Sequence, residues 1–399
     1  MRKTNAILTI IALAMLAPTL AHGQARPIHG RISEVGKLRV LELWGNRIEA
    51  GYAHGYLLAD EIVTLLDNYV LDETIVRNPQ VYESMMVANV ERLFSWDAAN
   101  RAELEALLAG ARARLGDDFR SEKLGRPLTL RDLMVVNVIA DWFGFLCSSV
   151  SVWGELSENG LLRTGRNLDF PKTTSMEKGQ IVLFYRADSR NWAGVTWPGL
   201  IGVYTGFNAD GVTMLMHDAN GEAPERSAGF VPRSLALREA LVAASPKTYL
   251  EDVAKVLCNR PVMVGNNIHV SGPGETPAGI FEYDGGATTQ GVSLRLPDAH
   301  ESHLQDTLWC TNHMRTRKEP DENWRYPRMR RKLNHAAQMD EPITLARLQH
   351  IMKQVEQMTT LHTVIFEPTN RVMHVRIPAR QEEPVTFKLD EWFSKPIKK

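Results

Sequence analysis

Cysteine is scarce in this chain: three occur in 399 residues, at positions 147, 258 and 310. No CxxC pair and no HExxH run is present, so no metal site is expected. No glycine-rich phosphate or dinucleotide loop follows a strand; SGPGETPAG and GGATTQG read as turns, and no cofactor is expected. An excess of one charge is also missing. The formal net charge is −1, which removes the electrostatic footprint of a nucleic-acid partner or an anionic membrane. Beyond the N-terminus no apolar run is long enough to cross a bilayer, and there are no internal repeats or low-complexity linkers. What remains is 44% hydrophobic and 23% charged, the balance of a soluble globular protein with a real core, in one large domain or two.

The chain opens with Met1-Arg2-Lys3, an apolar run from Ala6 to Ala17, Pro18 and the small-residue stretch Ala21-His22-Gly23. A positive start, a short apolar stretch and small residues at the end describe a secretory signal peptide over residues 1–23, with export to the periplasm or the extracellular space. An odd cysteine count in an exported protein leaves two readings open. Either Cys258 pairs with Cys310 and Cys147 is a free thiol, or all three are reduced and buried.

The pattern of the next segment is helical. Apolar residues recur at helical spacing from Tyr52 onward, again over Val90–Leu115, and over the more apolar Leu130–Phe145. From Cys147 the character changes to short β-rich segments, among them Ile181–Arg186, Gly194–Phe207, Val212–His217, Asn267–Val270, Gly279–Tyr283, Val292–Leu296, His362–Phe366 and Arg371–Ile377. Helical stretches at Pro232–Ala244, Thr248–Leu257, Trp324–Gln338 and Thr344–Gln357 lie between them. Antiparallel strands with grouped helices suggest helix-covered sheets, not a parallel βαβ array.

The change of character falls at one residue. The stretch CSSVSVWGELSENGLLRTGRNLDF, residues 147–170, reads as a β-hairpin with its turn at SENG. It places Cys147 at a strand start facing Arg166 and Asp169. A thiol beside a guanidinium has its thiolate favoured, as a nucleophile requires; a buried structural cysteine is the competing reading.

Cys147-Ser148-Ser149 followed by Gly165-Arg166-Asn167-Leu168-Asp169-Phe170 resembles the N-terminal-nucleophile hydrolases of the acid ceramidase and choloylglycine hydrolase group. It is most similar to the C45-type autoproteolytic family that includes penicillin acyl-CoA:6-aminopenicillanate acyltransferase. Further stretches match in order: WGNRIEAGYAHGYLLADEI, WPGLIGVYTGFNADGV, Cys310-Thr311-Asn312-His313, NWRYPRMRRKL and HTVIFEPTNRVMHV. The likeness spans nearly the whole chain after residue 23.

The resemblance implies an α+β fold, a four-layer αββα sandwich whose C-terminal portion supplies two antiparallel sheets. Residues 24–146 would be a helical pro-segment and residues 147–399 the catalytic subunit. The precursor would cut its own Leu146–Cys147 bond, giving two chains from one precursor, and the freed α-amine would serve as base for the thiol. Asp169 would orient that amine and Arg166 would stabilise the thiolate. Asn267, with Asn266 as alternative, would supply an oxyanion amide, and Arg325 or Arg328 the late arginine. Asn208, His217, Asp218, Asn312 and His313 would line the substrate pocket. His217 and Asp218 stand where the family carries its oxyanion asparagine, a departure from the pattern, and the hairpin turn is longer than is common.

The implied activity is cleavage of a non-peptide amide, an N-acyl amide or N-acyl amino acid derivative, by transfer to water or to an amine. Two rivals stand beside it. One is a papain-like cysteine hydrolase pairing Cys147 with His313 or His217, without autocleavage. The other is an exported ligand-binding protein on the same fold without activity.

Overall fold

The computed structural model describes residues 26–397 apart from 74–75, 145, 225, 286–291, 298–303 and 318–322, so the expected signal peptide lies outside the described residues. The chain starts with a hairpin, β1 (Gly30–Val35) and β2 (Leu38–Trp44), turned at Gly36 with φ +60°. Helices follow at Arg47–Leu57, Ala59–Thr64 and Ala98–Leu115, with a π-helical stretch over Leu65–Glu73 and the two-strand ribbon β3 (Arg120–Ser121) and β4 (Arg126–Pro127). Helices Leu130–Asn137 and Ile139–Trp142 lead to β5 (Leu146–Gly154) and β6 (Gly160–Asp169). Then come β7 (Ile181–Arg186), β8 (Trp192–Thr196), β9 (Thr205–Asn208) and β10 (Thr213–Asp218). After helices Arg233–Ala243 and Tyr249–Leu257 follow β11 (Asn266–Ser271), β12 (Ala278–Tyr283), β13 (Val292–Arg295) and β14 (Thr307–Cys310). Helices Arg325–Gln338 and Leu345–Gln354 precede β15 (Thr360–Glu367), β16 (Val372–Ile377) and β17 (Gln381–Lys388).

The larger sheet runs β1-β2-β7-β8-β9-β10-β11-β12-β13 and the smaller β14-β5-β6-β15-β16-β17. They face each other through Val40, Val182, Phe184, Val195 and Phe207 of one and Val364, Phe366, Met373 and Phe387 of the other. The outer face of the larger sheet (Leu41, Leu183) packs on the N-terminal helices and on Leu237 and Leu241. The outer face of the smaller sheet (Val150, Val152, Ile365) packs on Met329, Leu333, Ile351 and Met352. The protein is therefore the expected α+β αββα sandwich. Because both faces of β7 are covered, its residues form a continuous apolar run, not an alternation.

Four expectations need correction. Residues 24–146 are not purely helical, because β1 and β2 belong to the larger sheet. The sheets are not wholly antiparallel, because β2 pairs with β7 in parallel. The strand expected over Gly194–Phe207 is interrupted between β8 and β9, where Pro198 lacks an N–H and Gly199 takes φ +85°. The helix expected over Val90–Leu115 is two, Val90–Leu93 and Ala98–Leu115. Ser95 N–H bonds to the Phe230 carbonyl at the break, and Asp97 caps the second helix through Asn100 N–H.

The glycines of AGYAHGYL explain themselves in packing. Helix Arg47–Leu57 crosses Ala98–Leu115 so closely that a Cβ on Gly55 would stand 1.9 Å from the Leu107 carbonyl oxygen, and one on Gly110 2.0 Å from that of Tyr52. Between them, buried His54 accepts the Gly199 N–H on Nε2 at 3.0 Å. Burial lowers this imidazole to about 4, so it is the neutral acceptor the contact needs. Asn137 binds the same loop, accepting Ile201 N–H and donating to the Gly199 carbonyl, both at 2.9 Å.

Candidate active site

Strand alternation decides what surrounds Cys147. The register of β5 and β6 sets Cys147 opposite Leu168 and Ser149 opposite Arg166, so Arg166 lies on the thiol's face, one diagonal away. Its guanidinium donates from Nη2 to Cys147 Sγ at 3.3 Å and from Nη1 to the Met216 carbonyl of β10 at 2.9 Å, spanning the two sheets. Further along the same face, Ser149 and Ser151 hold the two ring nitrogens of His269 at 2.7 and 2.8 Å, a polar seam that fixes one sheet against the other. Cys147 is 0% exposed and its neighbour Leu146 48%, so the peptide bond between them crosses from surface to interior.

Burial pushes the Cys147 thiol up to about 11; Arg166 pulls against this, while Asp169 and Asp218 add to it. The same desolvation lowers Arg166. The expectation that the guanidinium would leave a thiolate is corrected for the uncut chain: loss of water outweighs one nearby cation.

The backbone of Cys147 is held as firmly as its side chain. Its N–H donates to Asn312 Oδ1 at 2.8 Å, and its carbonyl accepts from Arg325 Nη1 at 2.9 Å. Arg325 Nη2 reaches the same Asn312 oxygen at 2.6 Å, and Asn312 Nδ2 donates to the Asp218 carbonyl at 2.8 Å. Arg325 opens its helix at the end that meets β5, and its Nη1 also pairs with Asp169 Oδ2 at 2.9 Å. A nitrogen, a carbonyl and a thiol of one residue each have their own polar partner, an arrangement suited to chemistry at that residue.

Residues 156–382, more than half of the chain, match the family described as acyl-coenzyme A:6-aminopenicillanic acid acyl-transferase. The chain belongs to that family. It is also similar to Protein dcd1B of Dictyostelium discoideum, 22% identical over 197 residues, 46% of this chain and 39% of that protein; the chain spans about two fifths of that relative. Among solved structures it resembles a Caenorhabditis elegans N-acylethanolamine-hydrolyzing acid amidase ortholog (TM-score 0.43, 16% identity, covering 56% of this chain and 93% of that one). A penicillin V acylase from Agrobacterium tumefaciens gives a TM-score of 0.44 at 10% identity, covering 61% and 87%. A variant of the conjugated bile acid hydrolase from Clostridium perfringens gives 0.44 at 11%, covering 61% and 93%.

In this acyl-transferase family member several expected residues lie elsewhere than the sequence suggested. Asp169 does not share the thiol's face. It stands opposite Leu146 and turns outward, where Arg325, Gln357 Nε2 (3.1 Å) and the Thr360 hydroxyl bind its carboxylate. Burial raises its carboxyl, while Thr360 and Arg325 oppose the shift. The Asp169 carboxylate thus reaches the Cys147 carbonyl through Arg325, while its backbone acts on the thiol directly. Asn267 spends both N–H groups on the carbonyls of Thr311 (3.1 Å) and His313 (2.8 Å), so in this arrangement it braces the loop after β14 and is no oxyanion donor. Asn208 is corrected as well: its carboxamide ties the carbonyls of Leu241 and Ala244 to the Asn208–Val212 turn, a structural task. Arg328 points away to Gln354.

Neither candidate histidine hydrogen-bonds the thiol, and burial lowers both. His217 has Nδ1 facing the carbonyls of Leu215 and Asn267, each at 3.2 Å, which assigns the proton to Nδ1 and leaves Nε2 a buried bare acceptor. His313 bonds the Thr311 hydroxyl at 3.0 Å and is lowered by burial to about 4. No imidazole among the described residues hydrogen-bonds Sγ, which removes the geometric support for a papain-like pair. All three cysteines are free, Cys258 exposed and Cys310 buried, so the disulfide reading does not hold.

Some neighbours of the site escaped the sequence. Gln357 ends the expected helical stretch and Thr360 opens β15, and neither carries a signal for Asp169. Arg233 did leave a signal: an arginine opening the apolar helix SLALREALVA, fully buried between Asp218 and Asp141.

Proposed function

We propose that this enzyme is a self-processing N-terminal-cysteine amidohydrolase that cuts its own Leu146–Cys147 bond and then hydrolyses an N-acyl amide or N-acyl amino acid derivative, with transfer to an amine as a variant outcome. The observation that carries this reading is the separate anchoring of the thiol, nitrogen and carbonyl of Cys147 by Arg166, Asn312 and Arg325. In processing, Sγ adds to the Leu146 carbonyl carbon, the C–N bond breaks, and the thiol proton passes to nitrogen. A thioester and a free α-amine result, and water hydrolyses the thioester to a Leu146 carboxylate and the Cys147 thiol.

The same residue then turns over substrate. A thiol held high by burial needs a base, and an α-amine titrates near neutrality, well matched to the task. An amine with one N–H pinned by Asn312 keeps its lone pair for the thiol proton. Arg166 stabilises the thiolate so formed. Asp169 acts as a positioning residue, holding Arg325 against the Cys147 carbonyl.

Intact-mass analysis tests the reading. Wild type is expected as two chains, the second starting at Cys147, and Cys147→Ala as one. The processed enzyme should release free acid from a panel of N-acylated amines while Cys147→Ala does not. An uncut wild type without turnover would favour the binding-protein alternative. The N-terminal pattern further supports an exported enzyme, which N-terminal sequencing of secreted protein would check.

A further inference from the structure

Arg233 is fully enclosed, and its partners divide into two groups. From the part after Cys147 come Asp218 and Asn266 Oδ1, the latter at 2.6 Å, both on Nη1. From the segment just before it come the Ala140 carbonyl on Nη2 and Asp141, whose Oδ1 lies 3.3 Å from Nε. The first group fits. The second does not: Nε and Asp141 Oδ2 are both buried with no hydrogen-bond partner among the described residues. A guanidinium presents Nε and Nη2 as a parallel fork for two carboxylate oxygens, and here that fork meets one carbonyl and one misaligned carboxylate. Burial raises Asp141 to about 7, with Arg233 opposing, so its charged form is disfavoured there.

Arg233 is linked to the nucleophile's backbone through two residues. Asp218, its partner, offers its backbone carbonyl to Asn312, which in turn accepts the Cys147 N–H. Gly144 abuts the same Asp218, 2.9 Å separating its would-be Cβ from Oδ2. Ala140, Asp141 and Gly144, all just before the Leu146–Cys147 bond, thus lie against Arg233 or its partner Asp218, and the thiol that follows them is fully buried. A cut at Leu146–Cys147 gives that segment a free end.

We propose that Arg233 recognises the substrate's carboxylate, that Asp141 holds its place in the uncut chain, and that the substrates are accordingly N-acyl amino acids. This rests on Cys147 being the nucleophile. The α-carboxylate of such a substrate lies one carbon from the leaving nitrogen, and it supplies two oxygens to the Nε–Nη2 fork where Asp141 supplies one.

The test compares matched substrates on the processed wild-type enzyme: an N-acylglycine and the N-acyl methylamide with the same acyl group. The carboxylate substrate should be favoured at least tenfold in kcat/KM, mainly through KM. In Arg233→Lys, which keeps the charge and loses the fork, that ratio should collapse toward one. Should Arg233→Lys not fold, competition decides it on wild type alone: an N-alkylglycine that cannot be cleaved should inhibit methylamide hydrolysis, and its amide should not. Equal turnover of both substrates, no competition, or a ratio that survives Arg233→Lys each overturns the assignment. Hydrolysis of neither substrate, with wild type matching Cys147→Ala, overturns the reading of Cys147 instead.

Discussion

The side-chain oxygen of Asn312 lies 2.8 Å from the backbone nitrogen of Cys147. That oxygen also accepts from Arg325 at 2.6 Å, so one acceptor fixes the position of the nitrogen that becomes an amine when the bond before it is cut. Removing it should leave substrate binding largely intact and misplace the base. Asn312→Ala is expected to lower kcat of processed enzyme roughly 10²-fold, the usual cost of a buried polar group at a reacting centre, with a smaller change in KM. Steady-state kinetics on an N-acyl amide checks this; equal loss in both parameters would point to general misfolding.

Among the described residues Arg166 is the one cation in hydrogen-bond contact with a thiol that burial pushes up to about 11. Self-processing should therefore accelerate as pH climbs from 8 towards 10, as the thiolate fraction grows. Arg166→Met takes away the pull against desolvation and should slow processing more than about tenfold, a difference of one pKa unit or more. Arg166→Lys should recover part of the rate, since a point charge survives while the bridge to Met216 is lost. The time course of chain cleavage by mass spectrometry reads all three.

Asp141 gives a stability signature of known sign. Its folded carboxyl is raised from 3.8 to about 7, so the folded chain holds a proton there that the unfolded chain releases. Between about pH 4 and pH 7 that contribution to stability shrinks as pH rises, and it is gone above the folded value. Uncut Cys147→Ala protein should melt several degrees lower at pH 8 than at pH 5.5, and adding Asp141→Asn should flatten that slope. An unchanged slope would place the titrating group elsewhere.

Gly55→Ala puts a methyl group against the Leu107 carbonyl with no flexible atom to yield. Overpacking of backbone on backbone should cost about 3 kcal/mol or more, visible as a lowered thermal midpoint. Tyr56→Ala, one residue on and partly exposed, is the control and should cost much less.

The sequence made the hairpin around Cys147 legible because its pattern is local: alternation, a turn at Asn159-Gly160, alternation again. The helix carrying Arg325 was legible from helical spacing for the same reason. Asp169 was misplaced although the signal was present, since Arg166 and Asp169 are three apart and an odd separation on a strand means opposite faces. Asn267 and Asn208 could not be sorted from sequence, because whether a carboxamide is free depends on which carbonyls distant loops bring to it. The β1–β2 hairpin went unread although Gly36 turns it locally; its place in the larger sheet was not legible, because β7 pairs with it in parallel and lies beyond all the N-terminal helices.

That pairing changes what the cut would mean. Val40 to Trp44 lie alongside Val182 to Arg186 in one continuous sheet, with Leu41 and Leu183 under the same helices. Severing the chain at Cys147 would nick a woven fabric without separating two pieces. The fragments should comigrate on gel filtration and part only in denaturant. A chain begun artificially at Cys147 would expose β7 as a raw apolar edge, ready to pair with its own copies; making the nucleophile's subunit alone is a recipe for aggregates, and coexpression with residues 24–146 the remedy.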